Sequence, residues 1–195
     1  MDLETPARIR VMGVGDGGNR ALDYIAAEDL SGITLTAINT HQQNTRPLNV
    51  NHVMIGLETT RGLGAGGSTE YGKRAALESE NALRQLMEGA DRVFILAALG
   101  GGTGSGASPI ITRLAREAGA ATIAVVSQPF TFEGSQRRQI AHVGLTALEN
   151  RVDELIVVEA DRLIPLTRSR RAPVLDEAFS LVARCMAWHV LSRLI

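Results

Sequence analysis

One stretch restricts this chain to a narrow set of folds. Val93-Phe94-Ile95-Leu96-Ala97-Ala98 is an unbroken apolar run. Gly100-Gly101-Gly102-Thr103-Gly104-Ser105-Gly106 follows, and then Pro109-Ile110-Ile111-Thr112-Arg113-Leu114. The run reads as a strand buried on both faces, and the segment from Ser108 to Ala118 as a helix. The loop between them has five glycines and two hydroxyl residues. Glycine removes the Cβ that would hold a ligand off the backbone. Unpaired N–H groups at a helix start, with the helix dipole behind them, favour an anion. The loop therefore reads as a phosphate cradle. Its bland alternative is a glycine-rich turn that only packs tightly.

The same order recurs along the chain. Ile9-Arg10-Val11-Met12-Gly13-Val14 reads as a first strand, and Ala21 to Ala26 as helix. Between them Gly13, Gly15 and Gly18 match G-x-G-x-x-G. A dinucleotide site also needs an acidic residue at the end of the second strand to hold a ribose. That strand, Thr34 to Asn39, ends in Asn39-Thr40-His41, so the dinucleotide reading is demoted. His52 to Gly56 reads as a third strand, followed by a second glycine loop, Arg61 to Ser68, and a helix from Glu70 to Met87. Ala121 to Val126 and Leu155 to Val158 read as further strands, with a helix from Arg137 to about Arg151 between them.

In the last helix, Leu175, Phe179, Val182, Met186 and Val190 make a core-facing row that Trp188 and His189 leave. That helix runs to Leu194-Ile195 with no evident cap. Strands alternating with helices predict an α/β fold, a Rossmann-like three-layer sandwich with a mostly parallel sheet. All three glycine loops follow strands, so they fall on the carboxyl edge where such sheets bind ligands.

Several chemistries are excluded or demoted. No glycine loop ends in Gly-Lys-Ser/Thr, so a lysine P-loop is absent. Ser105 is flanked by Thr103 and Ala107 where a serine-hydrolase elbow needs glycines. His41, His52, His142 and His189 lack ligand spacing, and no metal site or catalytic residue is assigned. Asp161-Arg162 reads as structural.

Net charge is −1 and aromatic content 4%, which speaks against nucleic acid as a partner; Arg168-Ser169-Arg170-Arg171 reads as a solvated turn. A single cysteine, Cys185, fits a reducing compartment, and no run suits a membrane helix or a leader. A cytoplasmic protein of one domain, residues 1–195, is the expectation.

Gly100 to Gly106 resembles the tubulin/FtsZ signature G-G-G-T-G-[ST]-G, and the resemblance to bacterial and archaeal FtsZ runs from Arg8 to Ile195. Ile9 to Asn19, Ala37 to Thr40, Thr60 to Gly66, Pro129 to Gly134 with Arg137, and Leu155 to Leu163 resemble successive FtsZ segments. The resemblance implies an N-terminal GTPase-type domain of the filament-forming cell-division class, ending in a central helix with no second domain. It implies a site for GTP or GDP, with Mg²⁺ brought by the nucleotide. Gly15, Gly17, Gly18 and Asn19 would lie by the phosphates, and Ala65 and Gly66 by the γ-phosphate. Gly101, Gly102, Thr103, Gly104 and Ser105 would hold the α- and β-phosphates. Glu133 and Arg137 would face the ribose, and Phe179 would stack on the base. Partners would be further copies of the chain or an FtsZ-like protein, through filament-type contacts.

Four departures from that pattern matter. Asp16 replaces a glycine beside the phosphates, where like charges at 4 Å repel by about 4 kcal/mol at an effective dielectric of 20. Ala160 replaces an asparagine that reads guanine. An aspartate for the same task on the last helix is missing, its place taken by Ala183 or, without gaps, Leu181. The sequence stops where FtsZ continues into the acidic loop that positions water on a neighbour's nucleotide. The expectation is therefore nucleotide binding without hydrolysis by the chain itself. The alternative is a non-hydrolysing interaction module with a degenerate pocket that caps or regulates an FtsZ-like filament.

Overall fold

The computed structural model describes residues 7–42, 49–166 and 175–194. Its elements run in the order β1 (Ile9–Val14), α1 (Gly15–Ala26), β2 (Ile33–Asn39), β3 (Val50–Met54), α2 (Leu57–Thr60), α3 (Thr69–Glu78), α4 (Glu80–Met87), β4 (Arg92–Ala98), α5 (Gly102–Glu117), β5 (Ala121–Gln128), α6 (Ser135–Glu149), β6 (Glu154–Glu159) and α7 (Leu175–Leu191). Short 3₁₀ turns cover Thr131–Glu133 and Ala160–Leu166.

The six strands form one sheet in the order β3-β2-β1-β4-β5-β6, and every pairing is parallel. The central strands carry apolar residues on both faces, as strands covered on two sides must. Val11, Phe94, Leu96 and Val125 meet α1 and α7 on one face. Met12, Ile95, Ala97 and Val126 meet α3, α4, α5 and α6 on the other. Each fully buried Leu, Val or Phe contributes about 1.5–3 kcal/mol of apolar burial.

Strand order reverses direction between β1 and β4, so α1 and α5 cover opposite faces of the sheet. At such a switch point the loops diverge and leave a crevice beyond the strand ends. Here the crevice is narrow at its base. A Cβ built on Gly15 would lie 3.2 Å from the Gly104 nitrogen, so the N-termini of the two helices meet above the sheet edge.

Several sequence expectations need correction. Gly102 to Gly106 is not loop: α5 starts at Gly102 and contains Pro109. Likewise α1 starts at Gly15 rather than near Ala21. Packing overrides glycine's poor helix propensity at these positions. A Cβ on Gly102, Gly104 or Gly106 would stand 2.7, 2.5 and 2.1 Å from the carbonyl oxygens of Ser68, Ala98 and Thr69. The expected helix from Glu70 to Met87 breaks into α3 and α4 at Ser79, whose Oγ accepts from the Gly56 N–H (3.0 Å).

The third strand is shifted, to Val50–Met54, and α2 was unforeseen. In α7, Val182, Met186 and Val190 are core, but Leu175 and Phe179 are 59% and 36% exposed. That helix also ends with its carbonyls met: Ser192 Oγ and Arg193 Nη1 both donate to the His189 oxygen. The basic cluster Arg168–Arg171, Pro173 and Ile195 lie outside the described residues, as does most of the N-terminal lead-in.

Candidate nucleotide site

A cleft of about 780 Å³ opens at the carboxyl edge of the sheet. Gly15, Gly17, Ala65, Gly66, Gly101, Gly102, Thr103, Gly104, Glu133, Arg137 and Phe179 line it. Three other expected residues do not. Gly18 presses on β4, where a Cβ would stand 2.1 Å from the Leu96 oxygen. Asn19 is buried and donates from Nδ2 to the Ile38 oxygen at 3.2 Å. Ser105 is buried, and its Oγ accepts from the Gly100 N–H at 2.9 Å. These three shape the walls from behind.

The glycines of the signature do different jobs. Gly100 takes φ +103°, which a side chain would resist, to turn the chain out of β4. Gly102, Gly104 and Gly106 let backbones touch. Gly101 is different again, because a Cβ there would meet nothing within 4 Å. Gly66 and Gly67, which line the same cleft, are equally open, so two separate stretches of bare backbone border it. The tight-packing reading of the glycine loop fits Gly102, Gly104 and Gly106, and Gly101 alone of the signature's glycines leaves open backbone in the cleft.

Two hydrogen-bonded pairs fix the end of the cleft nearest β2. Thr40 Oγ1, after β2, and Thr103 Oγ1, in the first turn of α5, lie 2.7 Å apart and buried. Thr60 Oγ1 and the Gly64 N–H both donate to the Thr40 carbonyl, at 2.9 and 3.2 Å. This ties the glycine loop before α3 to the end of β2. The second pair concerns Asp16. Its Oδ1 accepts from Asn39 Nδ2 at 2.8 Å and lies 3.4 Å from His41 Nε2. The carboxylate, 74% exposed, is thus drawn toward the β2 end of the cleft.

At the opposite end Glu133 Oε1 accepts from the Phe130 N–H at 2.9 Å, and Oε2 lies 3.3 Å from Arg137 Nη1. Phe130 stacks on Phe132 with ring centres 4.8 Å apart and meets Phe179 edge-on at 5.5 Å. Asp161 holds the 3₁₀ turn that carries Phe132: its carboxylate accepts from Thr131 Oγ1 and from the Thr131 N–H. Those two bonds keep its carboxyl below the ordinary range. Arg162 pairs instead with Glu159. Ala160 and Ala183 both line the cleft, whereas Leu181 does not, so Ala183 is the α7 residue that faces it.

Thr40, His41, Phe130, Gln128 and Arg20 escaped the sequence reading as site residues. The signal for the first two is in the sequence: Asn39-Thr40-His41 ends a strand on the edge where such sheets bind ligands. Arg20 lines the cleft and pairs with Asp176 at 2.9 Å, joining α1 to α7.

An all-parallel sheet in this order, with glycine-led helices at its switch point, defines a Rossmann-like nucleotide-binding type of fold. Residues 8–167 match the family model described as Tubulin/FtsZ family, GTPase domain. The cell division protein FtsZ of Wigglesworthia glossinidia brevipalpis is 43% identical over 165 residues, which is 84% of this chain and 43% of that protein. The FtsZ of Buchnera aphidicola subsp. Acyrthosiphon pisum is 42% identical over 180 residues, 92% of this chain and 46% of that one. A solved empty FtsZ dimer from M. jannaschii superposes with a TM-score of 0.90 at 34% identity, covering 98% of this chain and 55% of that one. The chain belongs to the tubulin/FtsZ family. It spans less than half the length of the curated relatives it matches.

Proposed function

We propose that the cleft binds a guanine nucleotide, GTP or GDP, and that the chain is a nucleotide-binding domain of the filament-forming cell-division class. One observation carries this reading: two helix N-termini from opposite faces of the sheet meet at Gly15 and Gly104, at the base of a cleft that the bare backbone of Gly101 and Gly66 also lines. The first-turn N–H groups of α1 and α5 have no carbonyl partner within their helices, so phosphate oxygens can accept from them. Thr103 and Gly104 would contact the inner phosphates, and Ala65 and Gly66 the terminal one. Glu133 and Arg137 would flank the ribose, with Phe179 against the base. Mg²⁺ would arrive with the phosphates; the donor set around them fits a shared ion, since Asp16 offers one hard oxygen ligand and magnesium keeps its remaining sites for phosphate and water.

The cleft carries two acidic side chains among the described residues, Asp16 and Glu133. Asp16 is engaged by Asn39 and His41, and Glu133 by Phe130 and Arg137. With both so engaged, we read the described residues as holding the nucleotide without hydrolysing it. Partners would be further copies of this chain or FtsZ-like proteins; the solved relative from M. jannaschii is itself a dimer. Asp16 also favours a second reading, an interaction module whose pocket is spoiled for triphosphate. Calorimetric titration with GDP and GTP, with and without Mg²⁺, decides. Saturable binding of either is expected; no heat at millimolar nucleotide overturns the first reading and leaves the second. Phosphate release from GTP above the protein-free rate would overturn the non-hydrolysing part.

A further inference from the structure

The base end of the cleft is apolar, and we propose that it holds the base by stacking without reading which purine it is. This rests on the nucleotide reading above and widens it from guanine to either purine. The face of α7 turned to the cleft carries Phe179, Val182, Ala183 and Met186, spaced as one helical stripe. The end of β6 adds Ala160, 2% exposed, and the end of β5 leads to Phe130. None of these side chains donates or accepts a hydrogen bond.

Some polar groups nearby are occupied, and the rest, the Ser127 hydroxyl and the Gln128 and Gln136 amides, both donate and accept. The Ser127 carbonyl accepts from the Leu99 N–H at 2.9 Å. Arg20 is paired with Asp176, and Glu133 with the Phe130 N–H and Arg137. Gln128 carries an amide that both donates and accepts, so turning it over suits either purine edge.

Guanine and adenine present the same stacking face and differ at the edge, in one exocyclic oxygen and amine. A site built to hydrogen-bond that edge rejects the wrong base by on the order of 10⁴, because its own buried polar groups are left unpaired. An apolar wall has no such groups to strand. It sets no hydrogen-bonding requirement of its own at that edge, so neither purine leaves a protein group unpaired. Phe179, 36% exposed and met edge-on by the buried Phe130 behind it, supplies the attraction, and stacking of a base on an aromatic ring is tolerant of base identity. Specificity then lies at the phosphate end, and adenine nucleotides enter as guanine nucleotides do.

The test is competitive titration of the full chain with GDP, ADP and pyrophosphate. GDP and ADP are expected to bind within about tenfold of each other, both more tightly than pyrophosphate. Phe179→Ala should weaken both nucleotides by a similar factor, about tenfold, and leave pyrophosphate unchanged. Ala160→Asn, which places an amide on the apolar wall, should move the GDP:ADP ratio by about fivefold while circular dichroism shows the fold kept. A preference for GDP beyond tenfold in the unmodified chain overturns the inference and leaves the guanine-nucleotide reading standing. Pyrophosphate binding as tightly as either nucleotide also overturns it, since the apolar end would then hold no base. Binding of none of the three overturns the nucleotide reading itself.

Discussion

The hydroxyls of Thr40 and Thr103 lie 2.7 Å apart with both residues buried, and they join the end of β2 to the first turn of α5. One hydroxyl donates and the other accepts, so neither can be deleted without stranding its partner. Thr103→Val keeps the shape and leaves the Thr40 hydroxyl buried without a side-chain partner. That should cost about 1–3 kcal/mol of stability. The double variant with Thr40→Val removes both and should recover part of the loss. Denaturant unfolding of the four proteins of this cycle measures the coupling, and additive losses would show that the pair does not interact.

The two kinds of glycine in the signature should respond oppositely to alanine. At Gly104 a Cβ would stand 2.5 Å from the backbone oxygen of Ala98, which cannot swing aside. Gly104→Ala should destabilise by about 1–3 kcal/mol, as overpacking does. At Gly101 the Cβ meets nothing within 4 Å and the backbone is extended, φ −99°. Gly101→Ala should leave the melting midpoint within a few degrees but weaken nucleotide binding about tenfold, by placing a methyl where backbone meets phosphate. Thermal unfolding and titration of both variants check this; equal binding by Gly101→Ala would remove the backbone cradle.

Much of this architecture was legible in the sequence, and the misses share a cause. Apolar runs such as Val93 to Ala98 identify buried strands without help from tertiary context, and glycines after strands mark the edge where the cleft opens. What local pattern could not show is where loop stops and helix begins. Gly102-Thr103-Gly104-Ser105-Gly106 has the propensity of a loop and is helix because α3 and β4 press on it from two sides. The same long-range packing hides Ser105, Gly18 and Asn19 behind the cleft wall. The Asp16–Asn39 contact spans 23 residues, and nothing local to either residue announces it.

The turn between α6 and β6 should give the protein an acid-sensitive joint. Asp153 Oδ2 accepts from the Thr122 N–H at 2.7 Å and from Thr122 Oγ1 at 2.9 Å, anchoring the start of β6 to β5. These bonds, the backbone one first, hold the Asp153 carboxyl below its ordinary value near 3.8. A carboxyl depressed in the folded state adds stability above its unfolded value. That stability disappears as pH falls through the lower folded value. Stability should therefore decline as pH drops below about 4, and Asp153→Asn should flatten part of that decline while lowering stability at pH 7. Denaturant midpoints from pH 7 to pH 2.5 test this; an unchanged slope in the variant would mean that Asp153 does not titrate with folding.

Asp16 sets the charge that any phosphate must meet. It stands in the first turn of α1, where a carboxylate is favoured by the helix dipole and competes with a ligand for the same field. Asn39 and His41 hold it toward β2, so the repulsion is less than an unrestrained carboxylate would impose. Exposure weakens it further: in a water-like medium two unit charges at 4 Å interact by about 1 kcal/mol. Asp16→Asn keeps the size and removes the charge. Without Mg²⁺ it should tighten binding of a nucleoside triphosphate by about fivefold to tenfold, and of a diphosphate by less. With Mg²⁺ saturating, the gain should shrink or reverse, because the ion then loses one carboxylate ligand. Raising the salt to about 1 M, where the screening length is near 3 Å, should erase the difference between the two proteins. Titrations in these conditions separate the two roles of the residue. An Asp16→Asn protein that binds triphosphate no better in the absence of Mg²⁺ would show that Asn39 and His41 already remove this carboxylate from the path of the ligand.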